Sequence, residues 1–287
     1  MFNLTGVYWI KNEARYIPEY VEFHLMQGFD HFIFYENGSN DNLLEIIKPY
    51  GDLIEIRDLP ETGMARNLWL SKHCCEDQKY KSKWLDFRSL DERVFCPDGR
   101  QIPDFLKDYE QYGGVAVGWE EFNSNGHKTR PEGLIIEHYT QTCKDAGCHV
   151  KTICRPEVAL MFGGNPHNFN YLPGYYTVTE NRLKVDFAHF PEDYHLEKIK
   201  AHHYRTLSEE EFNVKMNKGA LDRIDMENKR RAQAEDEWEY THGRPSGRWG
   251  TTTLGFNDSL LKWVQPVRDA IAKRYTGFEY LLPYINH

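Results

Sequence analysis

The chain has 287 residues and a formal net charge of −9. A negative net charge does not favour binding to the phosphate backbone of a nucleic acid. Apolar residues make up 40% of the chain and aromatic residues 14%, which predicts an ordered globular protein with a sizeable core. No apolar run approaches the roughly 18 residues that span a bilayer, and the first residues lack the pattern of a signal peptide. We therefore expect no transmembrane segment and a cytoplasmic location.

The first part of the chain alternates β-rich apolar runs with segments of helical spacing. The predicted strands are residues 4–10, 31–35, 53–56, 83–87 and 114–119. Helices are predicted after each of the first two strands, over about 63–77 and over 102–109. This alternation predicts an α/β fold with a parallel sheet. Ligands of such sheets bind outside the carboxyl ends of the strands, and those ends are polar here.

The second part of the chain has shorter apolar runs. Residues 130–200 predict mixed strand and loop, whereas Ser208 and Glu211 form a capping-box pattern that opens a helical segment to about residue 240. Residues 241–255 have the composition of a loop, and Asn257 is predicted to cap a last helix that ends near Tyr275. We expect a catalytic domain at 1–220 and a helical C-terminal extension at 221–287 packed on it.

The segment WLDFRSLDERVF (84–95) is the strongest local signal. Asp91 and Glu92 follow a buried strand, and carboxylate oxygens are the ligands that Mg²⁺ and Mn²⁺ prefer. A cation bound there would neutralise a diphosphate and stabilise a departing nucleotide. The alternative is that both acids merely solvate the end of a strand, and the motif alone does not exclude it.

Several segments, in order along residues 5–220, resemble glycosyltransferase family 92 and related family-2-like enzymes. They are NEARYIPEYVEFHLMQGFDHFIFYENGSND (12–41), WLDFRSLDERVF (84–95), VGWEEFNSNGH (117–127), KTICRPE (151–157) and HHYRTLSEEEFNVKMNKG (202–219). The resemblance implies a GT-A fold, in which a Rossmann-like mixed sheet is flanked by helices. It also implies a nucleotide-sugar glycosyltransferase whose D-x-D motif holds a divalent cation, Mn²⁺ or Mg²⁺, against the diphosphate of the donor.

The resemblance assigns the metal ligands by position. Asp91 matches the metal-binding Asp of the D-x-D motif, Glu92 is the acid beside it, and His203 is the leading third ligand, with His167 in reserve. Ser89 stands where the family has the first Asp of the motif. Two further departures are Arg88, in place of an apolar residue, and Arg93, in place of an aromatic one.

The resemblance also implies contacts with the donor, for which a UDP-sugar is the leading choice. The residues implied are Asn12, Glu13, Asn37, Asp41, Arg66, Arg88, Ser89, Trp119 and Lys215. Helix capping is the alternative for Asn12 and Asp41, and a solvated surface position is the alternative for Arg66. A C-terminal lid over the diphosphate is a further expectation, with a solvated loop as its alternative. Its basic residues would be Lys215, Lys218, Arg244 and Arg248.

An inverting transfer needs one base that deprotonates the acceptor hydroxyl. The segment after the fifth strand offers Glu121, Glu120 and His127, with Glu137 and Asp186 as competitors. The implied reaction moves a hexose, galactose as the first guess, from a UDP-sugar to a hydroxyl of a carbohydrate or glycoconjugate. The alternative is a weakened relative that binds nucleotide or glycan without turnover, because Ser89 and Arg93 depart from the family pattern.

Overall fold

The computed structural model describes residues 1–60, 66–143, 149–186, 196–217 and 254–285. Its strands up to the acidic motif are β1 Phe2–Ile10, β2 His31–Glu36, β3 Ile54–Asp58, β4 Ser82–Phe87 and β5 Glu92–Phe95. The later strands are β6 Gly114–Phe122, β7 Gln141–Cys143, β8 Val150–Cys154, β9 Ala159–Phe162, β10 Phe169–Tyr171, β11 Thr177–Val178, β12 Lys184–Val185, β13 Lys200–His203 and β14 Leu254–Phe256.

The described helices are α1 Ile17–Met26, α2 Leu43–Ile47, α3 Arg66–Gln78, α4 Ile102–Leu106, α5 Ile135–His138, α6 Glu209–Asn217, α7 Val264–Arg274 and α8 Leu282–Ile285. Short 3₁₀ turns cover Ala14–Tyr16, Lys48–Leu53, Lys107–Tyr109, Leu261–Trp263 and Glu279–Leu281. None of these helices has the length and apolar character needed to cross a bilayer.

Twelve of the described strands form one mixed sheet, whose main order is β12-β11-β6-β8-β4-β1-β2-β3. The strands β1 to β4 are parallel where they pair, while β8 runs antiparallel to both of its neighbours, β4 and β6. Because β8 alone is reversed between them, β4 and β6 point the same way. The carboxyl ends of β1, β2, β4 and β6 therefore meet at one edge of the sheet. This mixed sheet with flanking helices confirms the predicted α/β fold class.

Helix α1 shows how the sequence builds the layer on one face of the sheet. Pro18 stands at the start of the helix, where its missing N–H costs nothing. Gly28 follows the end of the helix at φ 95°, a conformation that glycine adopts without strain. A Cβ at Gly28 would also lie 2.7 Å from Pro103, so the turn needs glycine on two grounds. The buried side chains of α1 join Tyr8, Phe32 and Phe34 in the main core.

The second part of the chain departs from several expectations. Residues Ile135–His138 form a short helix within a region predicted as strand and loop. Leu254–Phe256, expected to be loop, pairs antiparallel with β7. Asn257 does not cap the last helix; its side-chain oxygen accepts a hydrogen bond from Ser259 N, and α7 begins at Val264. The lid residues Lys218, Arg244 and Arg248 lie outside the described residues.

The C-terminal helix α7 packs on the first helix, α1. Arg274 Nε donates a hydrogen bond of 2.9 Å to Glu22 Oε1, and Tyr275 Oη donates one of 2.6 Å to the carbonyl of Ile46. The ring of Trp263 meets the edge of Phe23 at 6.1 Å between centroids. These contacts attach residues from the end of the chain to the outer surface of the first βα units.

Candidate metal centre

Strand pairing brings three acidic or imidazole side chains together at the polar edge of the sheet. In the register of β13, His203 lies opposite Glu92 of β5 on one side and opposite Glu121 of β6 on the other. Asp91 precedes β5 in the turn after β4, and its carbonyl accepts a hydrogen bond from Tyr204 N. Asp91, Glu92 and His203 each place a potential ligand atom within 4.8 Å of the others.

Asp91 and His203 have the geometry of a metal-binding pair. Nε2 of His203 lies 3.8 Å from Oδ1 of Asp91, a separation that one cation bound at about 2.1 Å to each atom would bridge. Oδ1 of Asp91 is buried and has no hydrogen-bond partner among the described residues. An unsatisfied buried carboxylate oxygen is costly, and a cation would satisfy it. The donor set therefore fits Mn²⁺ or Mg²⁺.

Glu121 orients the histidine of this pair. Its Oε1 lies 3.0 Å from Nδ1 of His203, which makes Nδ1 the protonated nitrogen and leaves Nε2 as the free acceptor. A carboxylate behind a ligating histidine is a common arrangement around protein metals. Glu121 was predicted as a catalytic base, but it is only 3% exposed and engaged with His203. That position suits the orientation of His203 better than contact with an acceptor.

Glu92 differs from Asp91, because its carboxylate is already saturated. Oε1 accepts hydrogen bonds from Lys151 Nζ and from Ser89 N, and Oε2 accepts them from Trp119 Nε1 and Arg88 Nη1. A carboxylate has about four lone-pair sites, so a cation would have to displace one of these donors. Burial acts to raise the pKa of Glu92, but the charges of Lys151, His203 and Arg88 outweigh it and lower that pKa to about 2.

Lys215 reaches the same centre from helix α6. Its Nζ donates a hydrogen bond to Oδ2 of Asp91, the oxygen that does not face His203. Burial acts to raise the pKa of Asp91, but Lys215 and His203 together hold it well below its ordinary value. A cavity of about 40 Å³ lies beside this ion pair. It is lined by Glu13, Tyr16, Leu90, Asp91, Ile135, Leu207, Glu211, Val214 and Lys215.

The capping box at the start of α6 forms as predicted and shapes this cavity. Ser208 Oγ accepts a hydrogen bond from Glu211 N, while Glu211 Oε2 accepts one from Ser208 N, each of 3.2 Å. Glu211 also accepts hydrogen bonds from the hydroxyls of Tyr16 and Tyr139. The first turn of α6 is thereby tied to the loop after β1, which places Lys215 over Asp91.

The two arginines of the acidic motif are buried rather than presented to a ligand. Arg88 was predicted as a phosphate contact, but it is 0% exposed and bonds to Asp86 at 2.7 Å and to Glu92. Arg93 is equally buried and pairs with Glu19 at 2.9 Å. These arginines balance buried carboxylates, so their role is structural. Burial raises the pKa of Asp86 to about 6, although Arg88 opposes the shift.

Glu19 explains how Arg93 fits where the family has an aromatic residue. The carboxylate of Glu19 accepts hydrogen bonds from Arg93 and from the backbone N–H groups of Ile135 and Ile136. It therefore caps the N-terminus of α5 while neutralising the buried guanidinium. The guanidinium carbon also lies 5.1 Å from the ring centroid of Tyr20.

The residues predicted at the nucleotide tie the ends of β1 and β2 to each other. Asn12 N donates to Ser39 Oγ at 3.0 Å, Asn12 Oδ1 accepts from Asn40 N at 2.8 Å, and Asp41 accepts from Ala14 N at 2.9 Å. The 3₁₀ turn Ala14–Tyr16, α1 and α2 all begin without a hydrogen bond from the side chain of their N-cap residue, so neither Asn12 nor Asp41 caps the helix that follows it.

Two more of the predicted donor residues lie next to this pair of loops. Arg66, the first residue of α3, donates a hydrogen bond of 3.0 Å to Asn37 Oδ1 at the end of β2. Glu13 lines the cavity beside Asp91. Asn12, Asn37, Asp41 and Arg66 thus lie together around the ends of β1 and β2.

The remaining base candidates lie away from the cavity. Glu120 is held by Lys200 at 2.9 Å and by Asn257 at 2.8 Å, and its pKa is well below the ordinary value because the hydrogen bond and charge of His202 outweigh the effect of burial. His127 packs against Tyr139, Glu137 pairs with Arg268, and Asp186 is an exposed partner of Lys184. None of these side chains lines the cavity beside Asp91.

Trp119 and His167 form one side of the site. The ring of Trp119 lies 4.3 Å from that of His203 and 5.4 Å from that of His167, measured between centroids. Nδ1 of His167 is bonded to the carbonyl of Val150 at 2.7 Å, and burial lowers the pKa of this histidine to about 4. His167, the predicted reserve ligand, does not belong to the group formed by Asp91, Glu92 and His203 among the described residues.

Lys151 is the residue at this centre that sequence reasoning missed. It lies on β8, is 4% exposed, and contacts both Glu92 and Ser89. A lysine at the start of an otherwise apolar strand was the available signal. A buried lysine needs an anionic partner, but strand pairing decides which acid it meets.

Comparison with known proteins gives the family. The model of glycosyltransferase family 92 matches residues 4–240. A family 92 protein of Oryza sativa subsp. japonica is 23% identical over 159 residues, which cover 52% of this chain and 26% of that protein. One of Ricinus communis is 23% identical over 194 residues, covering 63% of this chain and 34% of that protein. The chain thus spans about a third or less of the length of these relatives.

Among the solved structures to which the chain shows some similarity is glucosyl-3-phosphoglycerate synthase of Mycobacterium tuberculosis, in complex with Mn²⁺ and UDP. It is 15% identical, covers 42% of this chain and 44% of that chain, and has a TM-score of 0.27. A score of this size supports no conclusion by itself. The family match over most of the chain does, and it agrees with the mixed sheet and with the ordered segments of the sequence. The chain belongs to glycosyltransferase family 92.

Proposed function

We propose that the chain transfers a hexose, with galactose as the first choice, from a UDP-sugar to a hydroxyl of a glycan, with inversion at the sugar carbon. Family membership supports glycosyl transfer, and the choice of donor sugar rests on the resemblance alone. We also propose a catalytic domain at 1–220 with 221–287 as its C-terminal extension. The contact of α7 with α1 supports packing of that extension on the catalytic part.

The observation that carries the proposal is the pair formed by Asp91 and His203. One buried carboxylate oxygen, which has no hydrogen-bond partner within the part of the chain that the structure describes, faces an imidazole nitrogen whose tautomer is fixed by Glu121. This is a preorganised set of one oxygen and one nitrogen ligand, in keeping with Mn²⁺ or Mg²⁺. Such a cation, when bound, supplies positive charge against the diphosphate of the departing UDP.

The cavity beside Asp91 is large enough for a cation with its water but not for a nucleotide. Its volume is about 40 Å³. Sites that enclose a whole drug-sized ligand measure roughly 300–1,000 Å³. We propose that the nucleoside lies beyond it, along the loops after β1 and β2 that hold Asn12, Asn37 and Asp41. Arg66 donates to Asn37 after β2 and Lys215 donates to Asp91 in the acidic turn, and we assign the diphosphate to these two cations.

The acceptor base lies nearer the cavity than the residues chosen from the sequence. Two carboxylates besides Asp91, those of Glu13 and Glu211, line it. We propose Glu13, which follows β1, as the leading base, in place of Glu121. Glu13→Gln should lower kcat by about 10² or more, the usual effect of removing a general base, with a much smaller change in KM.

The direct test is release of UDP from UDP-galactose in the presence of a panel of glycan acceptors. We expect acceptor-dependent release with Mn²⁺, loss of release in chelator, and loss in Asp91→Asn. Lys83→Gln, which alters an exposed lysine on β4, is the matched control and should behave like the wild type. Failure of every nucleotide-sugar to react, with the protein folded, would overturn the catalytic assignment.

The second candidate is a family member that binds nucleotide or glycan without turnover. It is favoured by one observation: Ser89 replaces an acid of the D-x-D motif, and Lys151 takes the space beside it. One experiment, which measures both thermal stabilisation and sugar release, separates the enzyme from the binding protein. Thermal stabilisation by UDP and Mn²⁺ without any sugar release would support the binding protein, whereas stabilisation with release supports the enzyme.

A further inference from the structure

Lys151 limits the ligands that the proposed cation site can use, and its role rests on the proposed function. We infer that Lys151 is a permanent internal counter-ion that withholds Glu92 from the divalent cation. The cation is then held by two protein ligands, Asp91 and His203. Lys151 therefore sets the strength of cation binding without touching the cation itself.

The position of Lys151 is the first support. Its ammonium donates hydrogen bonds to Oε1 of Glu92 and, at 3.2 Å, to Oγ of Ser89. The rings of Trp9 and Trp119 each lie 5.8 Å from Nζ, so aromatic faces cover the charge on its remaining sides. Cation–π contacts of this kind stabilise a desolvated ammonium where it stands. The lysine is enclosed by fixed partners.

The unequal condition of the two acids is the second support. Glu92 accepts four hydrogen bonds and is 0% exposed, whereas Oδ1 of Asp91 is buried without any partner among the described residues. A cation that bound Glu92 would have to displace Lys151 or another donor from this carboxylate. The displaced donor would then be buried without a partner. A cation that used Asp91 Oδ1 would fill a position that the described protein leaves unsatisfied.

The balance of charge is the third support. Beneath the site, the carboxylates of Asp86 and Glu92 are matched by the cations of Arg88 and Lys151. This buried network is neutral as a whole and adds no net attraction for a divalent ion. With Ser89 in place of an acid, Asp91 is the charged ligand of the site, and Lys215 already shares it. The affinity for a divalent cation decreases as the number of charged ligands decreases.

Two changes then distinguish this arrangement by their effect on Mn²⁺ binding. Lys151→Gln removes the counter-ion, frees Glu92 as a third ligand, and should raise the affinity about tenfold, as expected for one more charged ligand. The double variant Lys151→Gln with Glu92→Gln keeps the network neutral and should leave the affinity within about twofold of the wild type, because Glu92 is not a ligand in the wild type. Lys151→Arg keeps the charge and should also leave the affinity unchanged.

The experiment is a titration of the whole chain with Mn²⁺, in which electron paramagnetic resonance measures the free ion. Melting curves establish that each variant is folded, and Lys83→Gln is the control for removing a lysine from the neighbouring strand β4. A tenfold gain in Lys151→Gln that is absent from Lys151→Arg supports the inference. The double variant Lys151→Gln with Glu92→Gln should return to the wild-type affinity.

Two results would overturn the role of Lys151. One is a loss of about tenfold or more in the folded double variant Lys151→Gln with Glu92→Gln, which would make Glu92 a ligand. The other is an unchanged or weaker affinity in folded Lys151→Gln; should that variant not fold, the double variant decides alone. Either result leaves the proposed function standing if the wild type transfers sugar with Mn²⁺. Absence of Mn²⁺-dependent transfer in the wild type would count against the function instead.

Discussion

Asp91 and Glu92 are neighbours in the chain and similar in chemistry, yet they belong to two different regions of the molecule. Asp91 faces a small cavity, with one oxygen paired to Lys215 and the other directed toward His203. Glu92 lies in a buried ion network with Asp86, Arg88 and Lys151. We call the first region the Asp91 cavity and the second the Glu92 network.

The difference shows that two adjacent acids in a motif need not share a role. The turn after β4 leaves Asp91 outside the strand, whereas Glu92 is the first residue of β5 and is covered on both sides. Burial with several charged donors makes Glu92 a structural residue, because an unpaired buried charge is strongly destabilising. The Asp91 cavity is the part that can exchange its partners for a ligand.

The largest expected effect is on the free energy of unfolding, when Glu92 or Asp91 is replaced by alanine. Glu92→Ala leaves Arg88 and Lys151 buried without this carboxylate and should lower the free energy of unfolding by about 3–5 kcal/mol. Asp91→Ala should lower it by about 1 kcal/mol or less, since Lys215 is 37% exposed and can turn to water. Urea denaturation at neutral pH measures both. Equal losses would remove the distinction between the two regions.

A second prediction concerns metal affinity within the Asp91 cavity. Glu121→Gln keeps a hydrogen-bond acceptor near His203 but loses the charge that fixes its tautomer. Loss of the carboxylate that orients a ligating histidine weakens metal binding by about tenfold. Titration with Mn²⁺ checks it, and Glu120→Gln on the same strand is the matched control. If both variants bound Mn²⁺ like the wild type, His203 would not be oriented by Glu121.

The smallest expected effect is a pH dependence at the edge of the site. Burial lowers the pKa of His167 to about 4, so the unfolded chain takes up a proton below about pH 6.5 that the folded chain does not. The stability that neutral His167 contributes is therefore complete above pH 6.5 and is lost as the pH falls toward 4.

His167→Asn tests this dependence. The variant should be less stable than the wild type at pH 7.5, and that difference should shrink by about 1 kcal/mol at about pH 5.8, because only the wild type carries the titrating group. Urea titrations at the two pH values measure it. A difference that grew at the lower pH would mean that folded His167 is protonated there.

Sequence patterns predicted those features that depend on local order. The first strands, helix α1 and the capping box of Ser208 and Glu211 follow from periodicity and side-chain chemistry within a few residues. The pairing of Asp91 with His203 was also anticipated, through the family resemblance. The wrong boundaries fall in residues 130–200 and after 250, where short strands are specified by partners distant in sequence.

The remainder of the site depends on strand register, which local patterns do not determine. Glu121 contacts His203 because β13 pairs with β6, and Lys151 reaches Glu92 because β8 runs antiparallel beside β4 and β6. One residue of slip in either strand would turn these side chains to the other face. The sequence therefore gave no basis for choosing between base and positioning roles for Glu121.

The central claim is that the Asp91 cavity holds the cation that binds the donor diphosphate. Isothermal titration of UDP into the wild type and Asp91→Asn, each with Mn²⁺ and each with chelator, tests it most directly. We predict that Mn²⁺ tightens UDP binding by at least about tenfold, or 1.4 kcal/mol, in the wild type and has no effect in Asp91→Asn. Equal UDP affinity with Mn²⁺ and with chelator in the wild type would contradict the account, as would a full Mn²⁺ effect in Asp91→Asn.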